Sequence, residues 1–118
     1  MNAPARQSMP SPAGATVVAL APARIERALA TRQRYKYVRP RVVREAAGWK
    51  IVSPNCSRNI DASGGDIDIA WFLPTNEGQW LLHARDHAQA CWVLKASGLT
   101  LTQALALVCA DAQREYWQ

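Results

Sequence analysis

The sequence predicts an α+β fold: an antiparallel sheet of four or five strands, a C-terminal helix packed on one face, and a flexible N-terminal arm. Apolar and polar residues alternate from Asp66 to Leu73, which is typical of a strand with one buried face. Apolar residues recur at three- and four-residue spacing over 102–117, which is typical of an amphipathic helix. Residues 1–15 are rich in Ala, Pro, Ser and Gly, and we expect disorder because they bury too little apolar surface to offset the entropy of ordering.

The arm is predicted to cover residues 1–34, and a single small domain to cover 35–118. Pro22 suits the first turn of a helix, where its missing N–H costs nothing, and the arm is compatible with a short helix over 22–34. Only Ile25 and Leu29 form an apolar stripe on this short helix. The helix is therefore expected to be marginally stable unless it packs against another part of the protein.

The predicted sheet begins after the arm. Tyr and Val residues favour a strand over 35–43, and Pro40 limits this segment to an edge or a bend. A turn at 46–48 leads to a second strand, in which Trp49 and Ile51 share a face. Residues 53–59 and 62–65 are predicted loops, and the strand at 66–73 ends at Pro74.

Residues 79–96 fit two structures. As two strands, 80–84 and 90–94 flank a turn at 85–88, and the β-rich sequence at 92–94 favours this interpretation. As one helix, the segment starts at Asn76 with a capping box closed by Gln79, and stops at Gly98. The final helix is predicted to start at Thr102, with Trp117 at its frayed end and an apolar face of Leu105, Val108, Cys109, Ala112 and Tyr116.

The net charge of +5 is distributed unevenly. Residues 1–50 contain ten Lys or Arg against two Glu, a net +8, whereas the remainder has a net charge of −3. A basic leader of this kind either folds over its own acidic face or contacts an anionic partner.

A basic stretch with interleaved tyrosines is the main candidate site. Arg contacts phosphates bidentately and Tyr stacks on unpaired bases, so the stretch favours a partner that is nucleic acid or an acidic protein surface. The alternative interpretation is a solvated edge strand and linker. The candidate nucleic-acid-binding residues are Arg32, Arg34, Tyr35, Lys36, Tyr37, Arg39, Arg41 and Arg44.

The favoured function is therefore a small, non-enzymatic binding module with an accessory or regulatory role. The second hypothesis is an adaptor or inhibitor that presents an aromatic surface, drawn from Trp71, Trp80 and Trp92, to another protein. The oligomeric state is not predicted.

A cysteine-dependent enzyme is the third hypothesis, with Cys56, His83 and Asp86 as weak catalytic candidates and His87 nearby. A structural loop cysteine beside surface histidines is the favoured alternative, because no family-specific signature accompanies them.

A metal site has weaker support. If residues 79–96 form one helix, His83, His87 and Cys91 lie along one of its faces. Structural zinc sites usually have closely spaced ligand pairs such as C-x-x-C, and the sequence has none. The acidic loop with Asp61, Asp66 and Asp68 lacks the ligand order of an EF-hand. We expect neither a metal nor another cofactor.

The sequence has three cysteines, an odd number, and no two of them are closely spaced as disulfide partners often are. This predicts a cytoplasmic protein whose cysteines are reduced. No run approaches the ~20 apolar residues of a membrane span, so no membrane partner is expected. The excess of Arg over Lys and the abundance of Ala are typical of a GC-rich bacterial genome.

Overall fold

The computed structural model of the chain describes residues 12–32, 39–54 and 65–117, with side chains from residue 20 onward. These described residues contain two helices and five strands. In chain order these are α1 (Pro12–Leu29), β1 (Arg41–Glu45), β2 (Gly48–Pro54), β3 (Asp66–Pro74), β4 (Trp80–Asp86), β5 (Cys91–Leu99) and α2 (Leu101–Ala110).

The five strands form one antiparallel meander in the order β1-β2-β3-β4-β5, so each strand pairs with its neighbours in sequence. The predicted α+β fold, with an antiparallel sheet and a C-terminal helix, is confirmed. The register shifts between Ile51 and Val52, where β3 carries an extra residue. Such a bulge increases the local twist of the sheet.

The core lies between one face of the sheet and the two helices. From the sheet come Ile51, Phe72 and Leu82, which belong to one buried cluster with Ile25 of α1 and Val108 of α2. Trp80 is 2% exposed and belongs to the same cluster. Period-two alternation in the strands therefore defines a helix-covered face and an opposite face.

Helix α1 differs from the predicted short helix over 22–34, because it starts at Pro12, contains Pro22 inside and ends at Leu29. Ala21, Ile25 and Leu29 recur every four residues and are all buried in the core. Part of the predicted arm is therefore core structure. The predicted disorder of residues 1–15 is wrong for 12–15, which form the first turn of α1, and residues 1–11 lie outside the described residues. The predicted domain boundary at 34/35 also lies outside them.

Residues 79–96 are two strands, as favoured, and the single-helix interpretation is wrong. The two strands are joined by a turn at 87–90, where Ala90 has a left-handed φ of 54°. The Asp86 carboxylate accepts a hydrogen bond from the Gln89 backbone N–H at 3.0 Å, which stabilises this turn.

Helix α2 is shorter than the predicted helix from Thr102 to Trp117. Thr100, rather than Thr102, is the N-cap, and it forms a capping box with Gln103. The helix ends at Ala110 because Asp111 adopts a left-handed conformation with φ 43°. Tyr116 and Trp117 lie beyond the helix and are buried, so the predicted frayed end is wrong for Trp117.

The tail after α2 folds back onto the core. The Asp111 carboxylate accepts backbone hydrogen bonds from Glu115, Tyr116 and Trp117, the last at 2.8 Å. The indole Nε1–H of Trp117 donates to the carbonyl of Val108 at 2.9 Å. The Arg32 guanidinium lies 4.9 Å from the Trp117 ring centroid, so the tail contacts the end of the α1 segment.

Candidate binding surface

The face of the sheet opposite the helices, here called the open face, is the candidate site. Strand register places Lys50 beside Trp71, Trp71 beside His83, and Arg85 beside Trp92 on this face. The buried cluster, which includes residues of both helices, contains side chains from the other face of the sheet. The side chains of the open face include Arg41, Val43, Glu45, Lys50, Val52, Asp68, Trp71, Leu73, Leu81, His83, Arg85, Trp92 and Leu94.

Three rings on the open face form a contiguous aromatic row, namely His83, Trp71 and Trp92. The ring centroids of Trp71 and His83 are 4.6 Å apart, and those of Trp71 and Trp92 are 5.9 Å apart. The rings are tilted by 36° and 34°. All three are half-buried, so each keeps part of its surface accessible to a ligand.

The Trp71 indole is fixed in position by the β1–β2 hairpin. Its Nε1–H donates to the Glu45 carbonyl at 3.1 Å. A Cβ at Gly48 would lie 3.0 Å from this nitrogen and would overlap the carbonyl oxygen of Phe72. The absence of a side chain at Gly48 therefore lets the indole cross β2.

Charges surround the aromatic row as a compact network. Asp68 pairs with Lys50 at 3.1 Å and with Arg85 at 3.8 Å, and Lys50 also lies 3.7 Å from Glu45. The Arg85 guanidinium lies over the Trp92 ring at 5.1 Å. Sequence reasoning missed Lys50, His83 and Arg85 as parts of one surface. Their alternate spacing on the strands was a signal, but the register that joins them was not predictable.

Three of the predicted basic residues, Arg39, Arg41 and Arg44, lie exposed on or beside edge strand β1 and are here called the basic edge. Arg41 forms an ion pair with Asp66 at 2.6 Å. Arg44 donates to the Ala46 carbonyl at 3.2 Å and stacks over Trp49 at 5.0 Å. Within the described part of the chain, neither Arg39 nor Arg44 forms an ion pair with a carboxylate.

Arg32 is not a surface contact, which corrects the prediction. Its side chain is 4% exposed, stacks on Trp117 and donates from Nη1 to the Leu29 carbonyl at 2.6 Å. Burial lowers the pKa of Arg32, and burial also raises the pKa of the neighbouring Cys109 thiol. The predicted contacts Arg34, Tyr35, Lys36 and Tyr37 lie outside the described residues.

The weak catalytic candidates are not assembled into a described site. Cys56 lies outside the described residues, as does Asp61 of the acidic loop. The His83 Nδ1 lies 3.3 Å from the Trp71 carbonyl, whereas Asp86 holds the β4–β5 turn. Among residues 12–32, 39–54 and 65–117, no three His, Cys, Asp or Glu side chains are grouped as metal ligands.

Trp80 does not belong to the aromatic surface proposed from the sequence, because it is buried in the core. Trp71 and Trp92 do lie together on the open face. In the described ranges, neither helix combines the length and the apolar character that a bilayer crossing requires.

The family model described as Domain of unknown function (DUF3024) matches residues 14–118, which is nearly the whole described fold. No curated protein matches the chain, and no solved structure matches it.

Proposed function

We propose that this chain, which belongs to the family of the Domain of unknown function (DUF3024), is a non-enzymatic module that binds single-stranded nucleic acid across its open face. The observation that supports this proposal is the aromatic row, beside a basic edge, on a sheet face that neither described helix covers. Sheets that carry exposed rings bind single strands by stacking unpaired bases on the rings.

Bases are expected to stack on Trp92, Trp71 and His83. The rings are held before the ligand arrives, by the Trp71 hydrogen bond to Glu45 and by the Arg85 contact with Trp92. A ring that is already held loses less conformational entropy on binding than a mobile one. Every base has a π-face, so this surface favours single strands without strong sequence preference.

Phosphates are expected to contact the basic edge. The Arg41 and Asp66 side chains are 61% and 49% exposed, and ion pairs so exposed contribute at most about 1 kcal/mol. A phosphate can therefore replace Asp66 as the partner of Arg41. With Lys50 and Arg85 added to the basic edge, five cations are available to phosphates. Arg41, Lys50 and Arg85 lie on the open face with the aromatic row, whereas Arg39 and Arg44 lie at the sheet edge, Arg44 on the side of Trp49.

The electrostatic part is tested by fluorescence anisotropy with a labelled single-stranded oligonucleotide at several salt concentrations. Five phosphate contacts predict a log–log salt slope no steeper than about −3.5. The variant R39Q/R44Q should bind the oligonucleotide more weakly and flatten the salt slope by about 1.4. The control R27Q/R114Q makes the same charge change at two exposed sites elsewhere, and its affinity and salt slope should change little. Equal effects of the two double variants would contradict a localised basic edge.

The stacking part is tested with Trp92→Ala and Trp92→Phe. Loss of one stacked base is worth ~1–3 kcal/mol, so the alanine variant should bind at least about fivefold more weakly, and phenylalanine should restore part of the affinity. Binding to duplex of the same sequence should be weaker than to the single strand. Equal affinity for both forms would reject the stacking mode.

A protein partner is the second candidate, because Val43, Leu73, Leu81 and Leu94 add apolar surface to the same face. Of these, Leu94 is 53% exposed. A protein seated on this surface should bind with little dependence on salt. The absence of oligonucleotide binding, together with salt-insensitive capture of a protein that Trp92→Ala abolishes, would replace the nucleic-acid proposal with this one.

A further inference from the structure

An acidic side chain lies on the surface that is proposed to bind nucleic acid. Asp68 of the central strand β3 is on the open face, and its side chain is 22% exposed. A carboxylate repels phosphates, so Asp68 does not contribute to contacts with the backbone of a bound strand. A carboxylate does accept hydrogen bonds from the N–H groups of bases. Asp68 is therefore a candidate for contact with a base edge.

The bulge in β3 turns Asp68 toward the open face. On the two sides of this bulge, Ile51 pairs with Ala70 and Val52 pairs with Asp68, so Ile69 is the extra residue. Ile69 and Ala70 both belong to the buried cluster. In regular alternation Asp68 would share the face of Ala70 and would point into the core. Bulges that redirect a side chain are common beside active sites, and this one places a carboxylate on the face of the aromatic row.

Asp68 is linked to both indoles of the aromatic row through their cationic neighbours. Lys50 is the cross-strand partner of Trp71, and its Nζ lies 3.1 Å from the Asp68 Oδ1. Arg85 is the cross-strand partner of Trp92, and its Nε lies 3.8 Å from the Asp68 Oδ2. The carboxylate therefore lies where a base stacked on the row presents its edge.

The Asp68 carboxylate has acceptor positions to spare. An ionised carboxylate accepts up to about four hydrogen bonds. Lys50 takes one position at Oδ1, whereas the 3.8 Å from Arg85 to Oδ2 is longer than a hydrogen bond. Among residues 12–32, 39–54 and 65–117, no other donor contacts this carboxylate. The open face thus presents free acceptors with an ammonium group beside them.

This arrangement is complementary to one base in particular. The Watson–Crick edge of guanine presents two donors side by side, N1–H and the N2 amino group, and next to them the O6 acceptor. Adenine and cytosine each present one amino donor beside an acceptor, and uracil presents one N–H between two acceptors. Guanine is therefore the base that can donate twice to a single carboxylate while accepting from an adjacent ammonium.

We propose that Asp68 is a specificity-determining residue that selects guanine at one position of the bound strand. The inference rests on the proposed function, since the guanine ring is expected to stack on the aromatic row. Asp68 accepts hydrogen bonds from N1–H and the N2 amino group, and Lys50 donates to O6. Lys50 then contacts the base rather than a phosphate, so four cations remain for phosphates. Other positions of the strand are bound by stacking and charge without base selection.

A purely structural role for Asp68 predicts a different outcome. If Asp68 only neutralises Lys50 and Arg85, its replacement removes a negative charge and strengthens binding to every oligonucleotide alike. Guanine selection predicts instead that the replacement removes the preference between bases. The ratio of two affinities separates these roles, because a uniform electrostatic effect cancels in the ratio.

The test compares two short uridine oligonucleotides that differ at one central base. One carries guanine, and the other carries hypoxanthine, which is guanine without the N2 amino group. Fluorescence anisotropy of the full chain should show at least about fivefold tighter binding of the guanine oligonucleotide. Asp68→Asn keeps the shape of the side chain but replaces one acceptor oxygen with a donor, and it should lower this ratio to about one.

Asp66→Asn is the matched control, because it makes the same charge change on the same strand, beside the basic edge. It should keep the wild-type ratio, even where the release of Arg41 strengthens binding to both oligonucleotides. Equal affinity of the wild type for the two oligonucleotides overturns guanine selection, and this measurement does not depend on whether a variant folds. A ratio that Asp66→Asn lowers as much as Asp68→Asn also overturns it.

Titration with guanosine monophosphate distinguishes the two sources of the base. Much weaker binding of this nucleotide than of the guanine oligonucleotide supports a guanine within a strand. If the nucleotide binds as tightly as the oligonucleotide, and more tightly than inosine monophosphate, guanine selection stands and the single-strand proposal fails. Salt-dependent binding of both oligonucleotides without preference overturns guanine selection alone, and the absence of binding to any of these ligands overturns both proposals.

Discussion

The buried carboxylate of Asp111 determines how the chain ends. It is 2% exposed and occupies the left-handed position that terminates α2. Both carboxylate oxygens accept backbone N–H groups from the tail. Buried N–H groups that lose their acceptor cost about 1–3 kcal/mol each, so this one side chain secures the burial of Tyr116 and Trp117.

Substitution of Asp111 tests this role. Asp111→Ala should lower the free energy of unfolding by about 3 kcal/mol, because three backbone donors lose their acceptor. Asp111→Asn should lower the free energy of unfolding by less than half as much, since the Asn amide oxygen still accepts backbone hydrogen bonds and Asn tolerates the left-handed conformation. Urea unfolding followed by Trp fluorescence measures both values. A loss for alanine no larger than that for asparagine would show that the tail is held by packing alone.

His87, in the turn between β4 and β5, couples stability to pH. Its Nε2 is enclosed and has no hydrogen-bond partner in the described part of the chain. Burial lowers the pKa of His87, and the nearby Arg85 charge lowers the pKa further. The folded chain therefore holds this imidazole neutral at a pH where the unfolded chain has begun to protonate it.

The expected result is lower stability in mild acid. As the pH falls below about 6.5, the unfolded chain binds the proton first, so the melting temperature should fall until the lower pKa of the folded state is passed. His87→Gln should have a flatter profile than the wild type between about pH 7.5 and 5.5. Thermal denaturation across that range measures both profiles, and identical slopes would exclude His87 as the cause.

At the scale of the elements, alternation predicted one strand closely and two others in part. Strand β3 follows its predicted segment, because its period-two pattern reflects the buried face directly. Strands β4 and β5 were one of two interpretations of 79–96, and they extend to Asp86 and Leu99, beyond the predicted 80–84 and 90–94. The C-terminal helix was predicted too long. Ala112 and Tyr116 continue its spacing, but the carboxylate of Asp111 favours a local turn over a further helical turn. The capping box from Thr100 to Gln103 was present in the sequence and overlooked.

Helix α1 and the candidate site were harder to predict. Alanine contributes little to an apolar pattern, so the contribution of Ala21 to the stripe was missed. The burial of Arg32 depends on Trp117, which is distant in sequence, and the residues around Arg32 do not predict that contact. The aromatic row depends likewise on the register of three strands. Long-range contacts of this kind depend on tertiary packing rather than on local propensity.

At the scale of the whole molecule, the two ends of the described chain close on each other. Helix α1 packs against α2, with Arg24 donating to the Thr102 hydroxyl at 2.8 Å, and the segment after α1 contacts the tail through Arg32 and Trp117. The positive charge of the first fifty residues is therefore divided. The Arg32 side chain is buried in the interior, whereas the three arginines of the basic edge remain exposed.

This closure predicts that α1 and the sheet unfold as one cooperative unit. Ile25 is fully buried and Leu20 is 53% exposed on the same helix, so Ile25→Ala should cost ~2–4 kcal/mol whereas Leu20→Ala should cost under about 0.5 kcal/mol. Deletion of residues 1–31 should abolish the single urea transition, because the sheet then exposes the apolar face that α1 covers. If the deleted chain unfolds in one transition at the wild-type midpoint, α1 is a detachable arm, and the core needs only the sheet, α2 and the tail.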